Sequence, residues 1–154
     1  MKKVETKIDY GAILSKQGLS KTPFRMELLA LFYSSNKSLS VDDVIHNSSS
    51  EINKVTVYRA LERFEETGLI HHVPGKNNLK RFSLCREECA PHQHTHNHGH
   101  FICNECDQTY CLESVQIPKL APLKDFTIQQ YQLTLEGICN DCNTQKQNIQ
   151  NAGF

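Results

Sequence analysis

Apolar material is scarce in this chain. Only 38% of its 154 residues are hydrophobic, which is thin for one large core, so two small modules are expected. No segment approaches the length of a membrane span, and the charged start, residues 1–9, carries no apolar stretch that would serve as a secretory signal. A cytoplasmic protein with no membrane partner is the expectation. Net charge is missing too: 17 Lys and Arg balance 17 Asp and Glu. That zero hides a division, because residues 1–84 hold 13 basic against 9 acidic residues and residues 85–154 hold 4 against 8. A basic half suits a polyanion, and an acidic, ligand-rich half suits cations.

Cysteine is what the chain does have. Seven of them, an odd number in a chain expected to meet a reducing environment, favour metal ligation over structural disulfides. Cys103 and Cys106 form one Cys-x-x-Cys pair and Cys139 and Cys142 another. Each such turn presents two soft ligands from one tight loop, and two turns supply the four that a tetrahedral zinc ion takes. Just upstream, His92, His94, His96, His98 and His100 alternate strictly, with Cys85 and Cys89 before them and Cys111 after. An enzyme using a Cys-x-x-Cys as a redox dithiol would need a thioredoxin-like βαβ pattern, which the chain lacks. No small-molecule substrate is expected.

The pattern of the first half predicts three helices and a hairpin. Thr22-Pro23 is a strong helix start, followed at helical spacing by Phe24, Leu28, Leu31 and Phe32. Ser40 caps a second segment whose early Asp42 and Asp43 suit the positive end of a helix dipole. A third helix spans residues 53–66, with Val57, Ala60, Leu61 and Phe64 on one side and Gly68 as its stop. Two short extended runs around Pro74, Gly75, Asn77 and Asn78 then read as a β-hairpin. This order is that of a winged helix-turn-helix. Residues 101–102, 110–112 and 126–135 look extended, Pro118 and Pro122 leave room for only a short helix between them, and the polar tail after Thr144 is expected to fray. The resulting fold class is α+β: a winged helix over residues 1–84, a His-rich hinge over 85–100, and a small zinc-stabilised α/β module over 101–154.

In the third helix, Tyr58 and Arg59 face away from its apolar side. A recognition helix in a major groove uses such residues on base edges and phosphates, and Arg25, Lys54 and Thr56 are placed to add backbone contacts.

The stretch Thr22-Pro23-Phe24-Arg25, the string Thr56-Val57-Tyr58-Arg59-Ala60-Leu61, and the two Cys-x-x-Cys pairs after a histidine-rich linker resemble the ferric uptake regulator (Fur) superfamily of bacterial metal-dependent repressors, in order over about residues 10–143. The resemblance implies a winged helix, a C-terminal dimerisation domain, and metal-dependent binding of a homodimer to palindromic, A/T-rich double-stranded operators. It also implies a sensor site drawn from the wing, the linker and a position eight residues after the first zinc-ribbon cysteine. Those places hold Cys85, the set His96, His98 and His100, and Cys111. His71 and Cys85 match the zinc uptake regulator (Zur) branch. Ser38 stands where the iron branch has a histidine, and Cys111 stands where members commonly carry a carboxylate, with Glu113 as the nearby carboxylate substitute.

Thiolate with imidazole favours zinc, whereas iron and manganese favour carboxylate with imidazole. The expectation is therefore Zn²⁺ in two roles, structural at Cys103, Cys106, Cys139 and Cys142 and regulatory at the sensor. A second regulatory site known in parts of the family falls on Pro118 and Tyr131, neither of them a usual ligand. His92 and His94 read as a solvated or metal-collecting tract, His46 and His72 as surface or packing residues, and Cys89 has no assigned role. Two alternatives stay open. One is an iron-, manganese- or peroxide-responsive regulator of the same superfamily, and the other is a zinc-storage or delivery protein.

Overall fold

A computed structural model describes residues 7–85, 98–129 and 131–151. The chain runs α1 (Tyr10–Lys16), α2 (Pro23–Ser34), β1 (Leu39–Ser40), α3 (Val41–Asn47), α4 (Lys54–Glu66), β2 (Ile70–Val73), β3 (Arg81–Leu84), β4 (His98–Cys103), β5 (Thr109–Gln116), β6 (Thr134–Gly137) and α5 (Asn140–Asn151).

Each helix of the first half starts on a side-chain cap. The Thr22 hydroxyl accepts from the Arg25 N–H at 3.3 Å, with Pro23 at the first helical position. Ser40 and Asp43 form a reciprocal capping box at 3.1 and 2.8 Å, and the Asn53 side chain accepts from the Thr56 N–H at 2.8 Å. These bonds satisfy N–H groups that the first helical turn leaves orphaned. Gly68 ends the following turn at φ +82°, a left-handed conformation that glycine adopts without steric cost.

α4 buries Val57, Ala60, Leu61 and Phe64 against Leu28, Leu29 and Phe32 of α2 and Val44 of α3. Two-residue β1 joins the hairpin to give a sheet of order β1-β3-β2, with Leu39 opposite Phe82 and His71 opposite Ser83. Its inner side chains, Ile70 and Phe82, close the same core. This is a winged helix. Gly75 in the wing turn has no room for a side chain, since a Cβ there would lie 2.2 Å from the Leu79 carbonyl oxygen.

The second module is a sheet of order β5-β4-β6, with β4 antiparallel to β5 and parallel to β6. Its own apolar core is small: among the described residues beyond position 98, only Ile102, Cys103 and Cys139 are buried hydrophobics.

Several expectations change. Residues 10–16 form an additional helix, α1, whose Leu14 is fully buried in the core. The expected hinge of residues 85–100 ends early, because His98–Cys103 form β4 and the His100 N–H donates to the Leu133 carbonyl at 2.9 Å. The run 126–135 is not one strand; only Thr134–Gly137 pairs, where it meets the β4 edge. No helix forms between β5 and residue 126. The tail is not frayed at Thr144 but helical. The Asn143 N–H bonds the Cys139 carbonyl at 2.9 Å, and the Thr144 hydroxyl bonds the Asn140 carbonyl at 2.9 Å. Asp141 in the first turn complements the helix dipole. No helix among the described residues is long and apolar enough to cross a membrane.

Candidate metal centres and nucleic-acid face

Two groups of potential ligands form around the β4-β5-β6 sheet. The first is Cys103, Cys106, Cys139 and Cys142, whose sulphurs all lie within 4.8 Å of one another. Cys103 ends β4, Cys106 follows in the tight turn after it, and Cys139 and Cys142 flank the start of α5. The Cys106 and Cys139 sulphurs are 3.9 Å apart, far from a disulfide length of about 2.05 Å. That separation is close to the edge of about 3.8 Å that a tetrahedral ion with Zn–S bonds of about 2.3 Å requires.

The electrostatics fit the same occupant. Burial opposes ionisation of Cys103, yet backbone N–H groups of Cys139, Cys106 and Glu105 hold its thiol down at about 6. The buried Tyr110 hydroxyl on β5 lies near Cys139 and lowers that thiol as well. Burial pushes Cys106 up, and the neighbouring Cys139 pushes Cys142 up to about 12. Packed this closely, the sulphurs cannot all be anions without a cation among them. The donor set therefore fits Zn²⁺.

The second group is His71, His98, His100 and Cys111, again with ligating atoms within 4.8 Å of one another. The sequence places them by alternation. His98 and His100 are two apart on β4 and share a face, Cys111 pairs across from His100, and His71 comes from β2 of the wing. Phe101 and Tyr110 face the other way, towards the four cysteines, so one sheet separates the two groups. His71 and His100 are buried. The Cys111 sulphur lies 3.4 Å from His71 Nε2, close to the edge of about 3.5 Å expected between a thiolate and an imidazole on one tetrahedral zinc. The Cys85 sulphur lies 3.4 Å from the other ring nitrogen, Nδ1. The imidazole thus stands between two thiols. The His98 and His100 rings lie 4.9 Å apart between centroids, tilted at 55° to one another. Three imidazoles and a thiol, with no carboxylate in the group, make a soft donor set.

Not every residue named from the sequence enters this group. Cys85 touches His71 but is not one of the four converging groups. Glu113, two residues beyond Cys111, is exposed and also outside it. His96, Cys89, His92 and His94 lie outside the described residues. Of the other named histidines, His72 packs edge-on against Phe82, and the His46 ring bonds the Asp42 carbonyl at 2.7 Å.

The candidate nucleic-acid face is the outer side of α4. Tyr58 and Arg59 are exposed there, and so is Val55, an apolar side chain that carries no signal of such a role in the sequence. Lys54 pairs with Asp42 of α3 at 3.2 Å, and the Thr56 hydroxyl donates to Asn53 Oδ1 at 2.9 Å. Arg25 sits at the start of α2 and is held by the Ser20 carbonyl at 3.3 Å and by the Ser20 hydroxyl.

A family model described as "Ferric uptake regulator family" matches residues 16–138, which takes in α2, α3 and α4, the wing and every residue of the His71 group. The chain belongs to this family. It is thus a metal-responsive transcriptional regulator of the Fur type. Among curated relatives, the peroxide-responsive repressor PerR of Staphylococcus saprophyticus is 25% identical over 136 residues, covering 84% of this chain and 86% of the relative. Among solved structures, a zinc uptake regulator complexed with zinc and DNA aligns with a TM-score of 0.59 and 24% identity, over 88% of this chain and 91% of that one. The Vibrio cholerae ferric uptake regulator aligns with a TM-score of 0.58 and 20% identity, over 85% and 100%. At these identities the structural matches speak for the fold, and relatives with different sensing chemistry all share it. What this Fur-family chain senses must be argued from its own residues.

Proposed function

We propose that this chain is a zinc-sensing repressor that binds palindromic, A/T-rich operators as a homodimer when the His71 group is loaded. The observation that carries the reading is the donor set itself, three imidazoles and the Cys111 thiol with the Cys85 thiol beside His71. His71, His98, His100 and Cys111 would hold a zinc ion there, which would supply a cross-link and no redox chemistry.

His71 belongs to the wing, whereas His98, His100 and Cys111 belong to the second sheet, so joining them fixes the angle between the two modules. In a homodimer that angle sets the separation of the two α4 helices, which must suit successive major grooves. Tyr58 and Arg59 then reach base edges and phosphates, and Val55 is placed to meet thymine methyl groups. The second copy is supported by the apolar side chains that the second module leaves exposed, Leu120, Leu123, Phe126, Ile128, Leu135 and Ile138, with Phe126 75% accessible. That many exposed apolar side chains on one small module suit burial against a second copy. The four-cysteine group, in this reading, holds a permanent zinc that stabilises a module with little core.

A coupling of about 3 kcal/mol would raise operator affinity more than a hundredfold. The second reading, a peroxide-responsive repressor, is favoured by the staphylococcal relatives of that name. It calls for an iron or manganese site, and the missing carboxylate in the His71 group weighs against it. The deciding experiment is operator binding by the purified protein against buffered free Zn²⁺, Fe²⁺ and Mn²⁺, beside a Cys111→Ser variant whose structural zinc has been verified. Tight binding at low free Zn²⁺ that is lost in Cys111→Ser supports zinc sensing. A response to iron or manganese that survives the substitution overturns it.

A further inference from the structure

Arg81 is a buried charge that neither the metal groups nor the DNA face uses. Its side chain is 5% exposed. Nε donates to the Ser38 hydroxyl at 2.8 Å, and Nη2 donates to the Ser38 carbonyl at 2.8 Å, to Asp43 Oδ2 at 2.9 Å and to Gln108 Oε1 at 2.8 Å. Ser38 and Asp43 belong to the winged helix, while Gln108 belongs to the turn between β4 and β5. One guanidinium therefore ties the two modules together.

Other bonds close the same seam. The Ser38 N–H donates to the Thr109 carbonyl at 3.1 Å, the Thr109 hydroxyl to the Pro74 carbonyl at 2.7 Å, and Lys76 Nζ to Asp107 at 2.8 Å. The metal group crosses this seam next to the latch. Arg81 pairs with Val73, two residues along β2 from His71, and Thr109 lies two residues along β5 from Cys111. A two-residue step in a strand is about 6.6 Å. The latch thus borders the metal group: Arg81 lies on β3 beside β2 and Gln108 just precedes β5, about one such step from the ligands His71 and Cys111.

We propose that Arg81 is a positioning residue that presets the His71 group and carries its loading to the DNA-binding helices. By tying Gln108 to Ser38 and Asp43, it holds the start of β5 against the wing sheet, where β3 pairs with β2, so that Cys111 already stands beside His71. The ordering cost of bringing the ligands together is then met before the metal arrives. Through Asp43, which closes the capping box of α3 with Ser40, the same guanidinium reaches the helix that packs on α4 and whose Asp42 pairs with Lys54. This inference rests on the proposed metal-responsive reading of the His71 group.

The test uses Gln108, which is neither a ligand, a core residue nor a DNA contact. In the full-length protein with its four-cysteine zinc verified, the second zinc is titrated against a chromophoric chelator for wild type, Gln108→Ala and Gln108→Glu. The Co²⁺ thiolate charge-transfer band serves as a check on the ligand set, and the thermal midpoint is recorded for each protein. Removing one hydrogen bond to a charged group is expected to weaken second-site zinc affinity about tenfold in Gln108→Ala, and the metal-induced gain in operator affinity should shrink with it. Gln108→Glu, which offers Arg81 a charged acceptor, should restore or exceed wild-type affinity. A Gln108→Ala protein that keeps wild-type zinc affinity and loses only thermal stability would overturn the proposal. Zinc affinity is read without DNA, so a wild type that binds the second zinc yet ignores it at the operator defeats the repressor reading while the variants still decide the latch. If wild type binds no second zinc, both fall.

Discussion

Asp43 offers a stability test whose size follows from its contacts. Its carboxylate accepts from the Ser40 N–H at 2.8 Å, completing the capping box of α3, and from Arg81 Nη2 at 2.9 Å. In Asp43→Ala the capping contribution falls by about 0.5–1 kcal/mol. Breaking a buried ion pair from one side costs about 3–5 kcal/mol, but two facts reduce that here. The Asp43 side chain is 36% exposed, and Arg81 keeps its acceptors on Ser38 and Gln108. A total of about 3 kcal/mol is expected, and at about 2–4 °C per kcal/mol for a chain of this size the midpoint should fall by about 6–12 °C. Asp43→Asn keeps an acceptor without the charge and should lose about half as much. The chain has no tryptophan and five tyrosines, so unfolding is followed by far-ultraviolet circular dichroism with tyrosine fluorescence as the second probe. If both variants melt within 1 °C of wild type, the reasoning that a buried Arg81 depends on this carboxylate is refuted.

Four further outcomes are expected. Cys142→Ser should lose the four-cysteine metal and leave residues beyond position 98 open to limited proteolysis while the winged helix stays resistant; intact resistance at both ends would count against a structural role for that metal. Gly75→Ala must displace the Leu79 carbonyl, 2.2 Å from the added Cβ, and should destabilise by about 2 kcal/mol in chemical denaturation, whereas a neutral result would mean that the wing turn yields freely. His72 has its pKa lowered, first by burial and then by Lys80, so the unfolded chain binds its proton more readily. Stability is whole above the usual histidine value of about 6.5 and declines as pH falls from there through the lowered folded value; His72→Gln should flatten that acid-side slope, and an unchanged slope would rule the contribution out. Arg59→Ala should weaken specific operator binding by about 1–3 kcal/mol with no change in melting midpoint, and undiminished affinity would remove Arg59 from the reading face.

The sequence carried the winged helix because its punctuation is local. Thr22, Ser40 and Asn53 each cap a helix with their own side chain, and those bonds lie within three residues of the cap. What it hid depends on partners distant in the chain. β1 is two residues long and exists only because Leu39 and Ser40 pair with Phe82 and Arg81. β6 takes up only the end of a longer extended-looking run because only that part meets β4. α5 begins where the turn of Cys139 and Cys142 orients it, a constraint that polar composition does not express. The alternation of His98 and His100 and the thiol of Cys111 were visible as candidate ligands, since a strand period of two is a local property. That Cys85 would meet His71 from the side away from Cys111, and that a charged residue inside a wing strand would cross to the second module, required the packed seam.

The two metal groups differ in what their removal would leave behind, and the topology explains why one chain would carry both. All four cysteines of the first group come from residues 103–142, two turns of a single module that buries few apolar side chains among its described residues. The ligands of the second group come from β2, β4 and β5, and the first of these already belongs to a winged helix with its own core. Emptying the second group would leave both modules folded and free only the angle between them. A closed four-thiolate group within one module suits permanence, whereas a mixed group spread across a hydrogen-bonded seam suits exchange, because the work of metal binding goes into geometry and not into folding. The latch at Arg81 then sets how far the seam opens when that group is empty, so operator affinity without zinc should rise with Gln108→Glu and fall with Gln108→Ala. A metal-free affinity indifferent to both would place the two-state element elsewhere in the chain.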